Sequence, residues 1–178
     1  VHLGFFRVYA SVRAEVMGLL RERLDACAKE GRRARVYLCG HSLGGAVACL
    51  CALDLASVGA LPPVVYTFGA PRLGNAAFRS VYNVLVPATF RVVGTRDIVP
   101  TLPPSIRYRQ LGREVWLDDA GGVTFAMSWA MRRILPPRDR VQHHALTRYF
   151  DLLRKAFQHA GGRELPPIFS FERMQRAV

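Results

Sequence analysis

The stretch VYLCGHSLGGAVACLCALDL, residues 36–55, decides how this chain is read. It opens as a short apolar run of buried-strand character and continues from Gly44 with helical spacing and small side chains. At the junction stands Gly40-His41-Ser42-Leu43-Gly44, a complete G-x-S-x-G. A serine at a sharp strand-to-helix turn is lifted clear of the sheet in a strained backbone conformation. Small residues at Gly40 and Gly44 are expected to let strand and helix approach. The same turn aims the N–H of Leu43, together with the positive end of the helix, at the place where a tetrahedral oxyanion would form.

Such a serine needs a base and a group to orient that base. In strand–turn–helix proteins of this kind the order along the chain is Ser, then Asp or Glu, then His. RVVGTRDIVPTLPP supplies Asp97 just past a strand-like run, where the carboxyl ends of parallel strands gather functional groups. Asp118 and Asp119 also follow a strand-like run and stay open as rivals, with a solvated turn as their structural alternative. VQHHALTRYF supplies His143 and His144, which are adjacent, so only one faces a common site. His2 comes too early for the order, His159 lies near the tail, and His41 is expected to point elsewhere.

Around this centre, FFRVYASVRAEVMGLLRERLDACAKEG places Phe5, Val8, Val12, Val16, Leu19, Leu20 and Leu24 at helical spacing, with Gly31 as a stop. PPVVYTFG and TFRVVG read as buried strands and residues 75–85 as a helix entered through Gly74-Asn75. RYRQLGREVWL reads as two short strands around Gly112. Residues 122–135 read as an apolar segment closed by Pro136-Pro137, and HALTRYFDLLRKAF as a helix. Strands alternating with helices imply parallel pairing and an α/β architecture in one domain.

Composition bounds the function. The 178 residues are 51% hydrophobic, enough for a core, yet no apolar run reaches membrane-span length, because Asp54, Pro62 and Pro63 interrupt the longest. Net charge is +12, and 23 of the 25 basic residues are arginine. The charge suits an anionic surface, but the arginines are scattered and no basic–aromatic patch accompanies them, which argues against nucleic acid as a partner. Cys27, Cys39, Cys49 and Cys51 show neither C-x-x-C nor Cys/His metal spacing; they read as small buried apolar residues of a reducing compartment, and no metal site is expected.

Taken together, VHLGFFRVYASV, GHSLGGAVACL, YTFGAPRLGNAAF, RVVGTRDIVPTLPP and HHALTRYF resemble the class 3, or fungal-type, lipase family of α/β-hydrolases, over roughly residues 1–155. The resemblance implies an α/β-hydrolase fold for residues 1–160, a mostly parallel sheet with flanking helices, followed by a tail over 161–178. It carries the acid's role onto Asp97. Because Tyr149 follows His144 by five residues, as in many plant-type members, it carries the base's role onto His144. It implies a lipase-like serine esterase, with a Ser42–Asp97–His144 triad, an acyl-enzyme and no cofactor. The substrate would be an acylglycerol or phospholipid ester, taken up at a membrane or lipid-droplet surface. Phe125 and Trp129, four apart in VTFAMSWAMRRILPP, are candidate substrate contacts, with a short packing helix as the alternative. In the family, a strand and loop bearing a second oxyanion donor, and a lid, precede the VHxGF segment. The chain is therefore expected to be a C-terminal portion with reduced activity. The competing function is a catalytically silent, lipase-like scaffold.

Overall fold

The computed structural model describes residues 1–59, 62–125, 127 and 141–160. A five-stranded sheet runs in the order β1-β2-β3-β4-β5, formed by β1 (Tyr37–His41), β2 (Val64–Phe68), β3 (Thr89–Gly94), β4 (Arg113–Leu117) and β5 (Val123–Phe125). The first four strands are parallel and β5 returns antiparallel on β4. The helices are α1 (Leu3–Lys29), α2 (Leu43–Ser57), α3 (Ala76–Leu85) and α4 (Leu146–His159), with short 3-10 turns at Val99–Thr101 and Val141–His144.

Strand alternation divides the core in two. Val65 joins α1, α2 and α3 in one cluster, with Ala46, Leu50, Leu55 and Tyr82. Val64, Phe90, Val92, Val115 and Leu117 face the other way onto Tyr149, Leu152 and Ala156 of α4. Helix α2 is buried nearly all round, from Gly45 to Leu55. An all-apolar helix fits only between two layers, and here α1 covers the side that the sheet does not.

The polar exception on α2 is Asp54. Arg13 of α1 donates to both its oxygens, at 2.5 and 2.9 Å, and the Tyr9 hydroxyl donates at 2.6 Å. The Arg13 guanidinium, more than the Tyr9 hydroxyl, holds the Asp54 carboxyl below the usual carboxylate range. Burial, and then the bond to Asp54, push the Tyr9 phenol up. Between β3 and β4 the facing residues Arg91 and Glu114 form an ion pair at 2.7 Å, with side chains only 9% and 10% exposed.

The expected strands over 35–40, 62–69 and 89–94 and the expected helices over 44–57, 75–85 and 144–157 are all present, with ends shifted by up to two residues. Asn75 caps α3, its side chain accepting from Phe78 N at 2.9 Å. Gly31, at φ +69°, follows the end of α1 as a left-handed stop.

Three expectations change. The buried line of α1 runs through Tyr9 and Met17, with Phe5, Val16 and Leu20 beside it, while Val8, Val12 and Leu19 are exposed. The apolar residues of α1 cover more than one face, and the polar anchor at Asp54 draws Tyr9 inward. Around Gly112 there is one strand, not two: residues before it contribute only an isolated bridge, Gly74 to Arg109. Gly112 sits at φ +65°, where a Cβ would enter the Thr89 side chain, so it turns the chain into β4. The start of the apolar segment at 122 is strand β5, which pairs with β4; most of its remainder, and the tail over 161–178, lie outside the described residues.

Candidate active site

Ser42 occupies the turn between β1 and α2 with φ 55° and ψ −126°. Among the described residues it is the one non-glycine at positive φ. Such a conformation costs on the order of 1–3 kcal/mol and persists only where the surroundings enforce it. Here Ser42 N donates to Phe68 O of β2 at 2.9 Å and Ser42 O accepts from Gly45 N at 3.0 Å. A Cβ at Gly40 would run into the Gly44 backbone. At Gly44 it would meet nothing within 4 Å, whereas at Gly45 it would lie 2.8 Å from the Ala70 Cβ. The close approach expected of Gly44 therefore falls on Gly45, the next residue of the same glycine pair.

Asp97 leaves the carboxyl end of β3 and is fully buried. Its Oδ1 accepts from Val99 N at 2.9 Å. Its Oδ2 lies 2.9 Å from His144 Nδ1 and accepts from the Tyr149 hydroxyl at 2.6 Å. The other ring nitrogen of His144, Nε2, lies 2.7 Å from Ser42 Oγ. An ionised carboxylate can only accept, so Nδ1 carries the His144 proton and Nε2 is left to accept from the Ser42 hydroxyl. The structure thus brings Ser42, His144 and Asp97 into one continuous hydrogen-bonded line.

The rival residues go elsewhere. Asp118 accepts from Ala120 N and Gly122 N in its own turn. Asp119 pairs with Arg96 and Arg148. His2 packs on Phe5 and Tyr108, and His159 ends α4.

Three further residues build the site from outside the serine motif's expected roles. His41 does not point away: its Nε2 donates to the His144 carbonyl at 2.7 Å, and its ring stacks on the His144 ring with centroids 4.6 Å apart. Tyr149 bridges two elements, since its hydroxyl also accepts from Gly94 N at 3.1 Å. Gly69, the residue after β2, at φ +61°, leaves the room in which the line assembles; a Cβ there would stand 2.7 Å from Asp97 Oδ2 and 3.0 Å from His144 Nδ1. The sequence marks Gly69 only as one letter of YTFGAPRLGN.

Leu43 is the first residue of α2, so its N–H has no intrahelical acceptor. It projects where the helix dipole is positive, beside Ser42. Phe125 lies on β5 and lines a cavity whose described wall contains none of Ser42, Asp97 and His144. Trp129 lies outside the described residues. Among the described residues no group of three His, Cys, Asp or Glu is arranged to hold a metal, and no helix is long and apolar enough to cross a membrane.

Residues 1–106, more than half of the chain, match the family described as lipase (class 3). The chain belongs to the class 3 lipase family. It is 38% identical over 125 residues to a lipase of Rhizomucor miehei, a match covering 67% of this chain and 33% of that protein. It is 37% identical over 118 residues to the phospholipase A1 EG1 of Oryza sativa subsp. indica, covering 58% of this chain and 27% of the relative. The chain thus spans about a third of the length of these relatives. Among solved structures, a lipase from Rhizopus microsporus var. chinensis superposes with a TM-score of 0.72 at 30% identity, covering 81% of this chain and 52% of that one. The fold is that of the α/β-hydrolases. The class 3 lipase match takes in Ser42 and Asp97 but ends before His144, which is joined to them by the geometry above.

Proposed function

We propose that this chain is a serine carboxylic ester hydrolase that cleaves acyl esters of lipids, with Ser42 as nucleophile, His144 as base and Asp97 as the acid that orients it. The observation that carries the reading is the line Ser42 Oγ–His144 Nε2–His144 Nδ1–Asp97 Oδ2, at 2.7 and 2.9 Å.

In the first step Ser42 Oγ attacks the ester carbonyl carbon while His144 Nε2 takes its proton. The imidazolium that forms lies against the buried Asp97 carboxylate, which stabilises it and holds the Nδ1–H tautomer. The oxyanion collects at the Leu43 N–H and the amino end of α2. Collapse expels the alcohol, which receives the proton from His144. Water then enters, gives a proton to His144, attacks the acyl-enzyme and releases the fatty acid and free Ser42.

A lipid substrate is supported by the kinship with a lipase and a phospholipase A1, so the ester is that of an acylglycerol or a phospholipid. Exposed apolar side chains flank the polar centre in sequence: Leu43 beside Ser42, and Val141 and Leu146 on either side of His144. Exposed apolar residues next to the triad residues suit an acyl chain presented at a membrane or lipid-droplet surface, and the +12 charge adds attraction to anionic lipid.

Fatty acid release from emulsified diacylglycerol and from short-chain phosphatidylcholine, followed by titration at constant pH, tests the reading. Hydrolysis of at least one substrate is expected, abolished in Ser42→Ala and reduced on the order of ten-thousandfold in Asp97→Asn. Equal rates in the parent and Ser42→Ala would overturn it.

A further inference from the structure

The cavity that Phe125 lines has a volume of about 680 Å³, and its described wall includes none of Ser42, Asp97 and His144. Its described wall is formed by the amino-terminal halves of β3 and β4, the end of β5, the side of α3, the loops after β2 and β3 and the loop that precedes β4. Five arginines line it, Arg72, Arg79, Arg91, Arg109 and Arg113, against Glu114, the one carboxylate among the described lining residues. We propose that this cavity is a binding site for a small phosphoryl anion, a phosphomonoester or diphosphate group, unconnected with the ester-cleaving centre.

The charge balance is the first argument. Glu114 is committed to Arg91 in the buried pair at 2.7 Å. Arg72 donates to the carbonyls of Thr101 and Pro103, and Arg109 to those of Ser105 and Tyr108. Carbonyls fix these guanidiniums in place but leave their charge uncompensated. Arg79 and Arg113 stand exposed at the mouth and form no ion pair with a described carboxylate. Among the described lining residues, four more cations than anions therefore face one concave space.

The crowding is felt within the cavity. Burial, and then the fields of Arg91 and Arg109, hold the Arg72 guanidinium below its ordinary value. An anion entering the cavity would relieve that repulsion. Its concave walls leave the more buried arginines, Arg72 and Arg91, less screened than charges on an open surface.

The chemistry of the donors selects the anion. Guanidinium forks match the oxygen pairs of phosphate in bidentate fashion, and anchored forks lose little freedom on binding. A single carboxylate would answer one of the four excess charges, whereas a phosphomonoester or diphosphate answers two or more. The concave shape suits a compact group in place of a polymer backbone.

The test is calorimetric titration of the folded chain at low chloride with inorganic pyrophosphate, dihexanoyl phosphatidic acid below its micelle concentration, and octanoate. The comparison protein is an Arg79→Gln/Arg113→Gln double variant, whose circular dichroism and melting temperature report that it is folded. Saturable one-to-one binding of a phosphoryl probe is expected, weakened about tenfold or more in the double variant and by added salt. Tighter binding of pyrophosphate would make the ligand a soluble phosphate, and tighter binding of phosphatidic acid a lipid headgroup. No saturable binding of either phosphoryl probe, an unchanged affinity in the double variant, or octanoate binding as tightly as the phosphoryl probes would overturn the proposal. All titrations are made in the Ser42→Ala background, so that no probe ester is cleaved and the readout does not depend on esterase activity.

Discussion

Gly69 and Gly44 separate two reasons for a glycine at a site. Gly69→Ala places a methyl 2.7 Å from Asp97 Oδ2 at a positive φ, so it must push the acid and His144 apart. Ester hydrolysis should fall at least a hundredfold, with kcat affected more than KM. Gly44→Ala meets no atom within 4 Å inside α2. It should keep its activity and raise the melting temperature, since Ala is favoured over Gly in a helix by about 1 kcal/mol. The two variants, assayed side by side for rate and melting, check the geometry; an inactive Gly44→Ala with an active Gly69→Ala would reverse it. At this scale the sequence makes Ser42, Asp97 and His144 legible because a strand-to-helix turn, a chain order and a histidine-tyrosine spacing each leave a local trace. His41 and Gly69 leave no such trace. They act on residues 103 positions away along the chain in one case and 28 and 75 in the other, through contacts that only the folded sheet creates.

Two charged contacts join elements, and they respond differently to perturbation. The Arg13–Asp54 pair ties α1 to α2 with Arg13 half in solvent. Because the native carboxyl of Asp54 is held below its ordinary range, the unfolded chain takes up that proton first. The contribution is therefore complete above about pH 4 and is lost as the pH falls through the native value. Urea midpoints should show Asp54→Asn less stable than the parent at pH 7, with the gap narrowing below pH 4; a gap constant with pH would contradict this. The Arg91–Glu114 pair between β3 and β4 is buried, so removing one partner takes away a close counter-charge in a poorly hydrated place. Glu114→Gln should cost about 3 kcal/mol in denaturant unfolding, while replacing both residues by Met and Leu should cost far less. The elements themselves are legible because hydrophobic period and turn residues agree for three strands and three helices. The outward apolar residues of α1 mislead because periodicity marks a face without saying which neighbour arrives to cover it. The single strand after Gly112 is decided by pairing with β3, which residues 107–117 do not encode locally.

At the scale of the molecule, parallel pairing of β1 through β4 sends the carboxyl ends of the strands to one edge. There the turn after β1 and the loop after β3 meet the start of α4. Layering also sorts the thiols. Cys49 is buried on α2 near Tyr82 of α3 and Arg91 of β3, where burial pushes its thiol up to about 11, while Cys39 is exposed on β1. A thiol reagent at pH 8 should modify Cys39 in the folded protein and reach Cys49 only after unfolding, as peptide mass mapping would show. The decisive question for the whole fold is whether this edge activates Ser42. Reaction of the purified chain with a fluorophosphonate, followed by mass spectrometry of its peptides, answers it most directly. One adduct on Ser42, absent from Ser42→Ala and lost or strongly slowed in His144→Ala, is the predicted result. A folded chain that takes up no probe, or takes it up equally without His144, would contradict it.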